Sequence, residues 1–344
     1  MDIVAGALLR LGFDGVFEVS RAAELVSDAT RRIMKYGDIK KPVISSACPA
    51  IVRLIRVRFP DLIPHIIDVR QPMEVAAMVA RREFCRAHDA KPEEVGCFFI
   101  TPCAAKVTAI RNPIGHETSA VDGAISMLEI YGLLSSHTRS HVMDDSLLKA
   151  TSYGIGWANS GGEAVAVCPE NSLAVDGIEN VIRVLEEVEN NKLSDLTFLE
   201  YSACTGGCVG GPLNFENNYV ARSSIRRLVE DRERTHPEEQ VDVALLTKYP
   251  LHSPKPILPN SAMQLDDDIV EAMRKMERIE EIYKRLPGYD CGSCGSPTCH
   301  AFAEDIVNGE ANENECIVTM RERIRKFLAK DGPAGKEREP DDRT

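Results

Sequence analysis

Eleven cysteines in 344 residues are the feature of this sequence best able to do chemistry. Four lie near the C-terminal end, in CGSCGSPTCHAFAEDIVNGEANENEC: Cys291, Cys294, Cys299 and Cys316, spaced C-x2-C-x4-C-x16-C. Four thiolates at such spacing suit either a [4Fe–4S] cluster or a structural zinc. Glycines around the first pair let backbone amides approach thiolates and sulfides closely. His300, next to Cys299, reads as a surface or outer group rather than a ligand. Four more cysteines are dispersed: Cys48 in SSACPAIV, Cys103 in TPCAAK, Cys204 and Cys208 in SACTGGCVGGP. The remaining Cys85, Cys97 and Cys168 have no partner spacing and read as small buried hydrophobes. No cationic start or small-residue cleavage site opens the chain, so no secretion signal is read and the cytoplasm is the expected location. Clustered cysteines there point to metal or catalysis rather than disulfides.

The elements around the dispersed set share a pattern. KKPVISSACP reads as a short buried strand at Val43 and Ile44 that ends in the Cys48 loop. EVGCFFITPC (94–103) is a strand ending at Cys103, and FLEYSAC (198–204) a strand ending in a glycine-rich cysteine loop. A strand thus runs into a cysteine three times, at the strand ends where α/β proteins place functional groups. Residues 1–36 read as β/α material, helical from Ala22. Helices are expected after Cys48 up to Pro60, and over 72–88, 120–135 and 173–190. Residues 232–262, with five prolines, read as an irregular connection. LDDDIVEAMRKMERIEEIYKRL is a helix with aspartates at its positive end. Its apolar stripe is Ile269, Met273, Met276, Ile279, Tyr283 and Leu286. A basic amphipathic helix follows over 317–330, with Ile317, Met320, Ile324 and Leu328 on its apolar face, then a charged tail expected to be disordered.

Composition removes several classes. A net charge of −12 weighs against nucleic acid or an anionic membrane as partner. No apolar run reaches the 18 residues that a spanning helix needs. His137 and His141 lie in a polar stretch and read as surface residues. GIGWANSGGEAVA (154–166) follows no strong strand, so its glycines are not read as a dinucleotide loop.

The stretch LPGYDCGSCGSPTC, followed by AFAEDIVNGE, resembles the small [4Fe–4S] domain of corrinoid iron–sulfur proteins and electron-transport complexes. That resemblance selects a [4Fe–4S] cluster over zinc at Cys291, Cys294, Cys299 and Cys316.

The segments around Cys48, Cys103 and Cys204/Cys208, in this order over residues 1 to about 225, resemble the three signature motifs of iron–iron hydrogenases. LLRLGFDGVFEVSRAAEL resembles the stretch that precedes the first motif. The resemblance implies that Cys48, Cys103, Cys204 and Cys208 bind the H-cluster: a [4Fe–4S] cluster that Cys208 bridges to a di-iron subcluster. The subcluster carries CO, cyanide and an azadithiolate whose amine shuttles protons. Lys106 stands at the position whose ammonium holds a cyanide, as charge-assisted bonding would favour. The motif neighbours Ala47, Pro49, Pro102, Ala104, Ala105 and Ala203 give the pocket an apolar lining, which tunes the metal.

Departures from the family pattern are equally specific. Ala47 occupies the position of the proton-relay cysteine and can neither accept nor donate a proton. Thr101 and Ser202 replace the two methionines that pack on the di-iron site. Gln71 falls at the proton-path serine, and Asp28 and Arg31 near the two path glutamates. A broken relay predicts slow turnover, since general acid–base transfer contributes about 10²–10⁴-fold. This pattern resembles the sensory subgroup, which reports hydrogen or redox state.

The expected fold is α/β: a two-lobed hydrogenase active-site domain over 1–258, a linker helix over 259–287, a [4Fe–4S] domain over 288–330 and a tail over 331–344. The family's N-terminal ferredoxin-like clusters and a PAS-like C-terminal domain are expected to be missing. The implied function is slow interconversion of H2 with protons and electrons, in a sensor. The implied partners are H2, ferredoxin or another redox protein, the hydrogenase maturation proteins, and a signalling domain, kinase or phosphatase downstream. Two other readings remain: a fast catalytic hydrogenase with a different proton path, and an iron–sulfur electron-transfer or scaffold protein without the di-iron site.

Overall fold

Short parallel strands carry the candidate residues. The computed structural model describes residues 2–135, 149–167, 170–236, 249–260, 265–266, 268–291, 294, 296 and 298–331. It divides into two units, Met1–Asn260 and Ser261–Thr344. Cys168, His137, His141 and residues 332–344 lie outside the described residues.

The first unit begins with two helices, α1 (Asp2–Arg10) and α2 (Val19–Tyr36). Residues 2–36 therefore contain no strand where β/α material is expected. Next come β1 (Val43–Ile44), α3 (Pro49–Arg58) and, after a 3-10 turn at Pro60–His65, α4 (Pro72–His88). β2 (Phe98–Thr101) is shorter than expected because Pro92–Glu94 forms a 3-10 turn ahead of it. α5 (Ala104–Arg111) follows directly.

Two expected helices are each a strand and then a helix. Residues 120–135 contain β3 (Gly123–Ser126) and α6 (Met127–Ser135). After α7 (Ser152–Gly156) and α8 (Gly162–Val167), residues 173–190 belong to β4 (Ser172–Asp176) and α9 (Ile178–Glu189). Pairing decides both cases. β3 lies parallel to β2 from Phe98 opposite Gly123 to Thr101 opposite Ser126. β4 lies parallel to β5 (Phe198–Ser202), Ser172 opposite Phe198. Neighbouring strands thus override local helical patterning.

The larger sheet runs β1-β5-β4 and is parallel throughout, so helical crossovers must cover both faces. Alternation along the strands separates the two layers. Val43 and Phe198 pack with Leu25, Val26, Val75 and Val79 of α2 and α4. Ile44, Leu199 and Tyr201 pack with Ile51 and Ile55 of α3 and Val181 and Leu185 of α9. Burying each such side chain stabilises the fold by about 1.5–3 kcal/mol. α10 (Asn218–Thr235) runs into the segment expected to be irregular; none of its residues is buried, so no apolar stripe marks it.

The second unit contains α11 (Ile269–Arg285), α12 (Cys299–Asn308) and α13 (Ile317–Asp331). Asp268 caps α11, its Oδ1 accepting from Val270 N at 2.7 Å. Ile279, Ile282, Leu286, Phe302, Ala303 and Cys316 make the core. Only the second half of the expected α11 stripe packs there: Ile269, Met273 and Met276 stay exposed. In α13 the side chains of Ile317, Ile324 and Leu328 lie outside the described residues, and Met320 is exposed. Among the described residues no helix is long and apolar enough to cross a membrane.

Candidate metal centre

The carboxyl ends of β1, β2 and β5 deliver Cys48, Cys103, Cys204 and Cys208 to one cavity of about 530 Å³. Each position has a local cause. Cys48 is the residue before α3 and Cys103 the residue before α5, so both sulfurs stand at helix N-termini, where partial positive charge favours a thiolate. Cys204 follows β5, and Cys208 opens the 3-10 turn Cys208–Gly210. Two glycines in that loop permit close approach. Gly207 has φ +91, and a Cβ there would meet Ser160 N at 2.5 Å. A Cβ on Gly211 would meet Pro102 O at 2.2 Å, so this glycine lets the third cysteine segment lie against the second.

All four cysteines are free thiols. Burial pushes the Cys48 thiol up. Burial and then the neighbouring Cys103, Cys48 and Cys208 push Cys204 up to about 11. Thiolates so crowded need positive charge, which a metal cluster provides. Lys106, one turn into α5, is buried and donates from Nζ to Cys208 Sγ at 3.7 Å. Burial alone would depress its ammonium, but Cys208, Cys103 and Cys48 together outweigh that and raise it.

Ala47, Ser202 and Ala203 also line the cavity. Thr101, Gln71, Asp28 and Arg31 do not. Thr101 is fully buried and its Oγ1 accepts from Cys103 N at 3.1 Å, which fixes the cysteine loop. Asp28 is ion-paired with Arg31 at 3.0 Å and Arg32 at 2.8 Å along α2. Cys85 and Cys97 are half-buried rather than buried.

The sequence reading missed two acidic residues of the lining. Glu200 sits inside β5, buried, and accepts from Gly161 N at 2.8 Å and Ala164 N at 2.7 Å, at the start of α8. Glu163 accepts from Ser45 Oγ at 2.6 Å. Burial, and for Glu163 also the negative neighbour Glu200, raise both carboxyls above their ordinary range. The available signal was a lone acid within each apolar run, FLEYS and GEAVAV. The one tryptophan of the chain, Trp157, lines the same cavity, with its indole N–H donating to Ser27 Oγ at 3.0 Å.

In the second unit Cys291, Cys294, Cys299 and Cys316 line a cavity of about 350 Å³. Asp290 Oδ1 accepts from Cys299 N at 2.7 Å, and Ser296 Oγ donates to Asp305 Oδ2 at 2.5 Å, which pins the loop to α12. Among the described residues no three cysteine, histidine or acidic side chains gather tightly enough for a single metal ion. Four thiols ringing a cavity are a donor set that a [4Fe–4S] cluster takes.

Fold and site together define an α/β iron–sulfur protein with two cysteine-lined centres. Residues 1–172 and 169–212 match the family described as iron only hydrogenase large subunit, C-terminal domain, and the chain belongs to that family. Residues 286–318 match a putative Fe–S cluster domain. Among curated proteins, the periplasmic [Fe] hydrogenase large subunit of Nitratidesulfovibrio vulgaris is 23% identical over 259 residues, 60% of this chain and 60% of that protein. The large subunit of the corrinoid/iron–sulfur protein of Moorella thermoacetica is 53% identical over 36 residues, 10% of this chain and 8% of that one. A structure of [FeFe]-hydrogenase HydA1 from Chlamydomonas reinhardtii superimposes with a TM-score of 0.52 at 14% identity, covering 75% of this chain and 88% of that one. The α/β fold is therefore that of the [FeFe]-hydrogenase active-site domain, followed by an iron–sulfur cysteine region.

Proposed function

We propose that this chain is the active-site part of a sensory iron–iron hydrogenase that interconverts H2 with protons and electrons slowly. The observation that carries the reading is the buried Lys106 ammonium beside Cys208, inside a cavity lined by all four motif cysteines. Its charge is balanced by Cys208, Cys103 and Cys48, so it can stand buried there as a donor facing the cavity.

Cys48, Cys103, Cys204 and Cys208 would hold an H-cluster, and Cys291, Cys294, Cys299 and Cys316 a second [4Fe–4S] cluster. When bound, these groups supply the redox iron for H2 chemistry and a route for electrons. The protein's own part is to bind, orient and exclude. Lys106 supplies a fixed donor to an anionic diatomic ligand. Ala47, Ala203 and Pro49 give that side of the cavity an apolar lining. Ala47 has no proton to offer, and the Asp28–Arg31 pair is engaged along its own helix, so the family's usual relay is interrupted. That interruption supports a sensing role over fast turnover.

Maturation proteins, a ferredoxin-like redox partner, a downstream signalling partner and a cytoplasmic setting belong to the same proposal. The test is an infrared spectrum after anaerobic maturation with the di-iron cofactor, under H2 and then inert gas. CO and cyanide bands that differ between gases are the expected result. Iron and sulfide without such bands would favour the scaffold reading, and a fast initial rate would remove the sensor.

A further inference from the structure

A second cavity, of about 470 Å³, shares Pro49 with the cysteine-lined one and reaches Ser46, the neighbour of Ala47. Its walls are largely apolar, with Val52, Ile67, Met73 and Ile257 among them. Against that lining, three buried polar atoms have no hydrogen-bond partner: Gln71 Oε1 and both ring nitrogens of His116. Buried groups are almost always bonded, so three exceptions around one cavity need a reason. The His116 side chain is 9% exposed and Glu74 is wholly buried. His116 Nε2 stands 3.5 Å from Glu74 Oε1, within ion-pair reach but too poorly placed for a hydrogen bond. Ser119 Oγ donates to the same Oε1 at 2.5 Å, and Ala120 N donates to Oε2 at 2.7 Å. Burial would raise this carboxyl, but the adjacent His116 ring and the bonds from Ser119 and Ala120 outweigh it and hold it below its usual range. Arg70 is the remaining charged group of the lining, with its Nε bonded to His252 O at 3.1 Å.

We propose that His116 and Glu74 form a proton-holding station that serves the Ala47 side of the candidate cluster cavity. It rests on the hydrogenase reading above. A proton arriving through the cavity binds His116 Nδ1. The proton on Nε2 passes to Glu74 Oε1, leaving a neutral ring and a carboxylic acid, and the reverse transfer delivers it back. One proton enters for each that leaves, and no electron moves. Because Glu74 favours its anion, it holds the proton only briefly, as a relay requires. The few polar groups of this lining, His116, Gln71 and Ser46, are the partners that an ordered water there would bond.

Two measurements decide this. In the full chain before maturation, nuclear magnetic resonance should show the His116 ring N–H exchanging with solvent much faster than global unfolding. A ring N–H that exchanges only on unfolding would overturn the proposal. In matured protein, His116→Ala should slow exchange between D2 and water protons by at least about a hundredfold, the lower edge of general acid–base effects. CO and cyanide bands should be unchanged, and added imidazole should restore part of the rate. Glu74→Gln should slow exchange without imidazole rescue. Unchanged exchange with intact bands overturns the station and leaves the hydrogenase reading standing. Missing bands in the unsubstituted protein overturn the hydrogenase reading and the station's purpose with it. The resonance measurement still decides whether the pair takes up protons.

Discussion

The ammonium of Lys106 stands 3.7 Å from the sulfur of Cys208, the nearer end of a buried pairing between the second and third cysteine segments. A lysine with an apolar surround would shed its proton; this one keeps it because three cysteines face it. Lys106→Met therefore removes a donor and leaves thiolate charge uncompensated. Charge-assisted bonds contribute about 1.5–3 kcal/mol, so retention of the di-iron group should weaken about tenfold to a hundredfold. Cyanide band intensity per iron, with circular dichroism as a check on folding, reads this out. Equal intensity in variant and parent would remove Lys106 from the binding site.

Gly211 makes a different kind of contact. Its missing Cβ is what allows the backbone to lie against Pro102, since a methyl would stand 2.2 Å from Pro102 O. Backbone on both sides leaves no flexible side chain to yield. Gly211→Ala should lower unfolding free energy by about 1–3 kcal/mol, the usual cost of overpacking. It should also reduce cluster loading in the first unit, because Cys103 and Cys204/Cys208 would be pushed apart. Urea unfolding and iron content check both. Parent-like loading in the variant would mean that the two segments can separate without harm.

Trp157 lines the candidate cluster cavity and is the only tryptophan in the chain, so its emission reports on that cavity without interference. Iron–sulfur clusters absorb broadly and accept excitation energy over short distances. Assembly of a cluster on Cys48, Cys103, Cys204 and Cys208 should quench the emission strongly. Cys204→Ser should abolish the quench. A Trp157 emission indifferent to loading would place the cluster elsewhere.

The cysteine-bearing loops were legible because glycine, proline and cysteine at strand ends are local signals. Val43–Ile44 and Phe198–Ser202 stood out as short apolar runs. Strands β3 and β4 did not, because each passes into a helix with little turn chemistry between, and only parallel pairing with β2 and β5 separates them. Helix α10 was hidden for the opposite reason: it buries nothing, so no stripe marks it. The apolar stripe at the start of α11 was legible and misleading, because Met273 and Met276 remain exposed. Glu163 meets Glu200, and Glu74 meets His116, only through tertiary contacts. Single acids in apolar runs hint at burial without naming the partner.

Glu163 links that buried chemistry to stability. Its carboxyl is raised in the folded protein by burial and by Glu200, whereas the unfolded value is near 4.5. The folded state thus binds more protons than the unfolded state above that pH. Its contribution is complete below about 4.5 and is lost as pH rises toward the folded value, by at most about 1.4 kcal/mol per pH unit. Glu163→Gln removes the titration, so the variant should gain on the parent as pH rises. Urea midpoints at about pH 5 and pH 7 give the comparison. A constant difference would mean that Glu163 is charged in the native protein.

Ala47 lines the cluster cavity, and its own amide donates to Ser45 Oγ at 3.2 Å, so the loop that carries it is held in place. A cysteine at this position would project its thiol from the same anchored backbone, with one sulfur atom of added volume beside a cavity that has room for it. Ala47→Cys should therefore leave folding and the infrared bands intact while supplying a group that can take and return a proton. If proton delivery limits the rate, H2 turnover should rise, by up to about 10²–10⁴-fold. A solvent isotope effect measured alongside separates the possibilities. A faster variant with a reduced isotope effect identifies Ala47 as the block. An unchanged rate with a large isotope effect in both proteins places the block further out, at Gln71 or at the Asp28–Arg31 pair. An unchanged rate with no isotope effect means that electron transfer or the di-iron chemistry is limiting, and the slow turnover proposed for this protein then has a cause other than its missing thiol.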